Sequence, residues 1–334
     1  MDIEIKNPGL LTTIQDLGRY GFRKYGVIVS GAMDSFAHRM ANIMVGNEEG
    51  EGTLEITLMG PEILINKDTL ISICGADLSP KINDISISMW RPIYVKKGSI
   101  LSFGKSNHGT RTYVAFAGFF NIEKIMGSKS TYLRAEIGGY EGRQLKRGDI
   151  LELKELSNRA LEIINNIAGN INEYGFAYPN WFISPKILPS YSNSPTVRII
   201  RGGEFNYFNE QSKESLFQNK FLITPQSDRM GYRIKGESIE LKESLEMISE
   251  AVALGTIQVP ADGNPIILLA DRQTTGGYPK IGQVISVDIP VVAQLKPGDS
   301  ISFCEVSLEE AQKLYIEREK DIDDIKKALK IKTI

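Results

Sequence analysis

From residue 3 to residue 303 the chain is cut into short apolar or alternating runs, each closed within a few residues by Gly, Pro, Asn or Asp. One series lies at 54–58, 62–65, 70–74, 93–95, 100–103, 112–117 and 150–153; a second lies at 197–200, 221–223, 256–259, 266–269, 284–287 and 301–303. Runs this short cross a sheet but do not sustain a helix, so the punctuation predicts a mainly β protein of the barrel or sandwich kind. At 334 residues the chain exceeds what one core commonly serves, and two lobes are expected.

Few helices interrupt this pattern. Asp34 precedes a segment in which Ala37, Met40, Ala41 and Met44 recur at helical spacing before Gly46, and a second helix is expected over 159–168. The clearest begins at Ser307, which forms a capping box with Glu310; Ala311, Leu314, Arg318, Ile322, Ile325 and Leu329 then fall on one stripe. Residues 169–195 are rich in Asn, Pro and Ser without a sustained period and read as a connector. The expected organisation is an N-terminal β-barrel lobe with connector at 1–190, a C-terminal β-barrel lobe at 191–306 and a helical tail at 307–334. A weak repeat supports two lobes: RGDILEL at 147–153 and PGDSISF at 297–303 each follow QLK, and KGSILSF at 97–103 echoes both.

Composition removes several classes. A formal net charge of −2 gives no reason to expect nucleic acid or an acidic membrane as partner. The first residues read as a strand rather than a leader, and no apolar run approaches a bilayer span. Cys74 and Cys304 are too few for a disulfide scaffold, so a reduced, cytoplasmic protein is expected. His38 and His108 are the only histidines, which excludes a histidine-rich metal site and leaves a Ser-His-Asp triad little to draw on. There is no GxSxG elbow, no GxGxxG between a strand and a helix, and no Walker loop.

Three polar, glycine-rich clusters stand out. The first runs from Gly9 through Thr12, Thr13, Gln15, Asp16 and Arg19 to Ser30 and Asp34; it suits an anion held by Arg and oriented by hydroxyls. The bland alternative pairs Asp16 with Arg19 and makes Asp34 a helix cap. The second cluster is 127–143, where Arg134 and Arg143 either bind an anion or neutralise Glu136 and Glu141. The third joins Asp228 and Arg229 to the loop at 271–280, which carries Asp271, Gln273, Thr274, Thr275, Gly276, Gly277, Tyr278 and Lys280. A polar loop following an apolar strand suits a substrate site, because the strand positions it; mutual pairing of Asp228 with Arg229 is the bland alternative. The first and third clusters are expected to share one cleft.

Eight segments, in order, resemble one family: TTIQDLGRYG, SGAMD, ANIMVGN, LEITLMGPEI, GSKSTYLRAEIGGYEGRQLKRGD, SDRMGYR, GTIQVPADGNPIILLADRQTTGGYPKIG and AQLKPGD are similar to the successive signatures of allophanate hydrolase subunit 2 proteins, from about residue 8 to about 305. That family includes the C subunit of 5-oxoprolinase, the KipI antagonist and a segment of urea carboxylases. The resemblance implies two cyclophilin-like β-barrel lobes. It also implies a KipI-like B subunit and a 5-oxoprolinase A subunit as partners, and ATP with Mg consumed by the assembled complex to activate a small lactam, the chain being inactive alone. Biotin enters only if the chain is instead a carboxyltransferase component; a non-catalytic antagonist of a KipI-like kinase inhibitor is the third possibility. On the lactam reading Arg19 or Arg229 anchors the substrate carboxylate and Lys280 faces the developing oxyanion. Asp16, Asp228 or Asp271 orients a proton or Mg, and Thr274, Thr275 and Tyr278 donate hydrogen bonds. One departure is Gly118-Phe119-Phe120, where the family usually carries a Gly-Gly pair.

Overall fold

The computed structural model describes residues 2–332. The chain divides into two compact units: Met1–Arg19, Ser30–Pro189 and Asp321–Ile334 form unit 1, and Tyr20–Val29 with Ser190–Lys320 form unit 2. The fold is mainly β with few helices and a long C-terminal helix, as the punctuation predicts.

Unit 1 holds two six-stranded sheets. One runs in the order 150–151, 3–7, 62–65, 100–102, 81–82, 85–86; the other runs 176–177, 92–95, 69–77, 108–116, 53–57, 11–15. Ile3, Ile5, Ile63 and Leu101 of the first and Ile14, Ile56, Ile73, Val114 and Phe116 of the second share one core. The second sheet is also covered on its other face. Leu70, Cys74, Tyr113 and Ala115 pack there against the helix Ser35–Met44, the helix Asn158–Ile167 and Ile322 and Leu329 of the C-terminal helix Leu308–Lys332. Burial on both faces explains why these strands read as continuous apolar runs rather than alternations. The Ser307 hydroxyl accepts from the Glu310 N–H, as the capping box predicts.

Unit 2 is a closed seven-stranded barrel in the order 196–201, 280–284, 256–258, 266–268, 231–235, 221–223, 300–305. It closes where Thr196–Arg201 pairs in parallel with Ser300–Glu305; the other pairs are antiparallel. The helix Glu210–Gln218, absent from the sequence reading, has too little apolar periodicity to announce itself and is started by the Asn209 side chain accepting from Ser212 N–H.

The weak repeat is one turn built three times. Gly98, Gly148 and Gly298 sit at φ of 89°, 87° and 93°, a region that favours glycine. Their N–H groups donate to the carbonyls of Ile65, Ile5 and Ile223, and those three isoleucine N–H groups donate to the carbonyls of Ser99, Asp149 and Asp299. In the two Asp-containing copies the carboxylate accepts from the N–H of Lys146 and of Lys296.

One buried titratable group gives a pH prediction. His38, on the first helix, is fully buried, with Nδ1 2.9 Å from the Thr53 hydroxyl. Burial disfavours its cation and pulls its pKa from 6.5 to about 4, against the attraction of Asp16 and Glu55. Between those values the unfolded chain binds the proton and the folded chain does not, so stability falls as pH drops from 6.5 toward 4. The stability of wild type relative to His38→Gln should fall by about 3 kcal/mol across that window. Trp90 and Trp181, the only tryptophans, both lie in unit 1, so fluorescence-detected urea unfolding reads it; a difference that does not change with pH would refute the assignment.

Candidate functional site

In unit 1 the first two polar clusters are one buried assembly. The edge strand Leu11–Gln15 delivers Asp16 beneath the segment 128–131, where its carboxylate accepts four hydrogen bonds: Oδ1 from Gly18 N–H (2.8 Å), Ser128 Oγ (2.7 Å) and Ser130 Oγ (2.5 Å), and Oδ2 from Lys129 N–H (2.6 Å). Arg19, 1% exposed, donates from Nε to Ile125 O (3.0 Å) and from Nη2 to Ser130 O (2.9 Å). The pairing of Asp16 with Arg19 that the bland reading supposed is replaced by this shared grip on 125–130. Gly138 is obligatory here: a Cβ would stand 2.2 Å from Ser130 O and 2.7 Å from Arg19 Nη2.

The neighbouring residues are equally engaged. Thr12 donates to Pro8 O, while Gln15 Nε2 donates to Thr13 Oγ1 and to Thr131 O, which also accepts from Ser30 Oγ. Ser30 takes a left-handed φ of 59°, and Asp34 caps its helix by accepting from Ala37 N–H. A group the sequence reading passed over anchors this turn. Glu55 Oε2 accepts from Met33 N–H (2.9 Å) and from the Tyr113 hydroxyl (2.7 Å), which in turn accepts from Asp34 N–H (2.8 Å). All of Glu55, Tyr113 and Arg111 are buried, and a Glu in the middle of an apolar strand was the available signal. Phe119, at the Gly-Gly departure, keeps a positive φ of 41° and lays its ring 4.4 Å from the Lys129 ammonium, itself paired with Glu51. Arg143 pairs with Glu141, as the neutralising alternative has it, and also with Asp149.

In unit 2 Arg229 pairs with Asp271. Nε and Nη2 reach Oδ2 and Oδ1 at 2.9 and 3.0 Å, and both side chains are about 9% exposed. Asp228 accepts from Met230 and Gly231 N–H at the turn. Beyond Asp271 the loop folds back: Thr275–Gly276 pairs with Glu250–Ala251, and a Cβ on Gly276 would stand 2.5 Å from Gln258 Nε2, which donates to Tyr278 O. Gln273, Thr275 and Tyr278 are exposed, Thr274 and Gly277 half-buried. Lys280 is held between two carboxylates. Its side chain is 16% exposed, with Nζ 2.6 Å from Glu250 and 3.7 Å from Glu204, and the Glu250 carboxylate raises its pKa.

Two guanidiniums that the sequence reading passed over also meet this loop. Arg23 Nη2 donates to Val252 O and to Thr274 O (3.1 Å), and Arg272 Nη1 donates to Leu269 O (3.3 Å). The legible signal was charge: between Asp16 and Asp34 there are three cations and no acid. The two polar clusters that were expected to share a cleft belong to different units, 12–19 to unit 1 and 271–280 to unit 2. Among the described residues no three of His, Cys, Asp and Glu converge as a metal site, and no helix is long and apolar enough to cross a membrane.

A buried polar turn assembly in one unit and a closed barrel with a polar loop in the other define a class. The chain belongs to the carboxyltransferase domain family, subdomain A and B, whose sequence profile matches residues 25–305. More particularly, it is 37% identical over 325 residues to the C subunit of 5-oxoprolinase from Haemophilus influenzae, covering 97% of this chain and 98% of that one. Its identity to the corresponding 5-oxoprolinase protein of Escherichia coli is 35% over 312 residues, 93% of each. The crystal structure of the Kluyveromyces lactis urea amidolyase superposes with a TM-score of 0.84 at 32% identity, over 97% of this chain and 20% of that longer one. The resemblance carried by the eight motifs therefore holds.

Proposed function

We propose that this chain is the C subunit of an ATP-dependent 5-oxoprolinase, which converts 5-oxo-L-proline, ATP and two waters to L-glutamate, ADP and phosphate. One observation carries the reading: the match to the Haemophilus 5-oxoprolinase protein is end to end, leaving almost nothing of either chain unaligned. In the assembled enzyme a KipI-like B subunit joins this chain in activating the lactam with ATP and Mg, and ring opening is finished by an A subunit. The exposed Gln273, Thr275 and Tyr278 contact the small cyclic amide, beside Lys280 with its partners Glu250 and Glu204. The Asp16 and Arg19 grip and the Arg229–Asp271 pair hold the loops in shape.

Co-expressed with its B and A partners, the chain should co-elute with them, and the mixture should release glutamate as ATP is consumed. The chain alone should do neither reaction. Glutamate formation that persists unchanged when this chain is left out would sink the reading. A biotin-dependent carboxyltransferase role is the second reading, favoured by the superposition on the urea amidolyase. It predicts carboxyl exchange with a biotinylated carrier and no ATP-dependent glutamate release.

A further inference from the structure

Among the described residues, Arg23 and Arg272 in unit 2 differ from the ion-paired cations beside the same loop. Arg229 is matched by Asp271, and Lys280 by Glu250 and Glu204. Arg272 is 9% exposed, yet its side chain's one hydrogen bond among the described residues is the long one to Leu269 O, and its Nε is buried without a partner. Arg23 touches only carbonyl oxygens, those of Val252 and Thr274. Thr274 lies two residues beyond Arg272, so Arg23 is bound to the same loop. Among the described residues neither meets a carboxylate.

Burial without a counter-ion costs stability, and a second cation nearby adds to the cost. Burial first, then the Arg23 charge, lowers the Arg272 pKa to about 10, with Tyr20 acting in the opposite sense; the side chain stays charged at neutral pH. An arrangement that destabilises the protein by itself and is held in place by backbone carbonyls is what an anion site looks like before the anion arrives. The guanidinium supplies planar, paired N–H donors that match a carboxylate or a phosphoryl group.

We infer that Arg272 and Arg23 form a binding site for a small oxyanion, a carboxylate or a phosphoryl group, at the root of the 271–280 loop. The inference stands on the geometry of unit 2 and not on the oxoprolinase reading. On that reading the substrate carboxylate and the transferred phosphoryl group are the two anions that would use it.

The test is a melting-temperature titration of the full chain with inorganic phosphate and, separately, with acetate, each against chloride at matched ionic strength. At least one anion should give a saturable rise of about 3 °C over the chloride control, and which one does so separates phosphoryl from carboxylate recognition. Arg272→Gln should abolish that rise while melting, without anion, at or above wild type, because an uncompensated buried charge has been removed. Arg23→Gln, at a half-exposed position, should also abolish it and covers the case in which the first variant misfolds. No rise beyond chloride with either anion would overturn the inference, as would a rise retained in both variants. Because the titration needs no partner protein or ATP, its failure and a failure of the glutamate assay are read independently.

Discussion

Asp16→Ala should lower the stability of unit 1 by about 4 kcal/mol, read as a shift in the urea midpoint of Trp fluorescence at unchanged slope. The carboxylate is 5% exposed and is the acceptor for four donors. Alanine leaves the Gly18 and Lys129 N–H groups facing a void that no other acceptor fills; the Ser128 and Ser130 hydroxyls can turn elsewhere. Hydrogen bonds to a charged acceptor are worth about 1.5–3 kcal/mol each, and a shared acceptor makes the four losses less than additive. Asp16→Asn retains the volume and one oxygen but turns an amide N–H toward the Lys129 N–H, so it should lose roughly half as much. A loss below about 1 kcal/mol for the alanine variant would show that 128–130 holds its shape without Asp16.

Asp16 also shows where sequence reasoning ends. Its short spacing to Arg19 made a local pair the natural bland alternative, but three of its four donors are more than a hundred residues away, in the second glycine-rich cluster. Spacing in sequence reports neighbours on a helix or across a hairpin; it is silent about two loops joined by the closure of a sheet. What was legible followed local rules. The capping box at Ser307, the Asp34 cap and the first helix each depend on residues within one turn of each other. So did the thrice-used Gly turn, because positive φ at Gly98, Gly148 and Gly298 imposes the same glycine on three stretches of chain. Glu55 and Tyr113 were passed over because a lone acid in an apolar strand carries no mark of the buried hydroxyl opposite it. The barrel of unit 2 was foreseeable as a strand count, whereas its parallel closure between 196–201 and 300–305 depends on residues that only the fold brings together.

Asp271→Ala should cost unit 2 about 3–5 kcal/mol, since it takes both contacts of a bidentate pair away from a buried guanidinium. The reason lies in the barrel. Arg229 stands just before the strand Gly231–Lys235 and Asp271 just after Ile266–Leu268, and these strands pair through Gly231 and Leu268. Backbone bonds extend the ladder outward, from Leu269 N–H to Met230 O and from Asp271 N–H to Arg229 O, and the bidentate ion pair adds a further rung where the loop departs. Removing only the acid leaves the cation desolvated and frees the loop root. Replacing both groups by apolar ones, as in Arg229→Met with Asp271→Leu, removes the stranded charge, so the double variant should be more stable than Asp271→Ala by about 2 kcal/mol or more. Calorimetric melting of the single and double variants decides it: a double variant no more stable than the single would mean that the pair is not what holds the two strand ends. The contrast with the next residue is the sharper check. Asp271 and Arg272 are adjacent and both buried, yet neutralising the first should destabilise the protein while neutralising the second should not, because only one of the two charges has a counter-ion among the described residues.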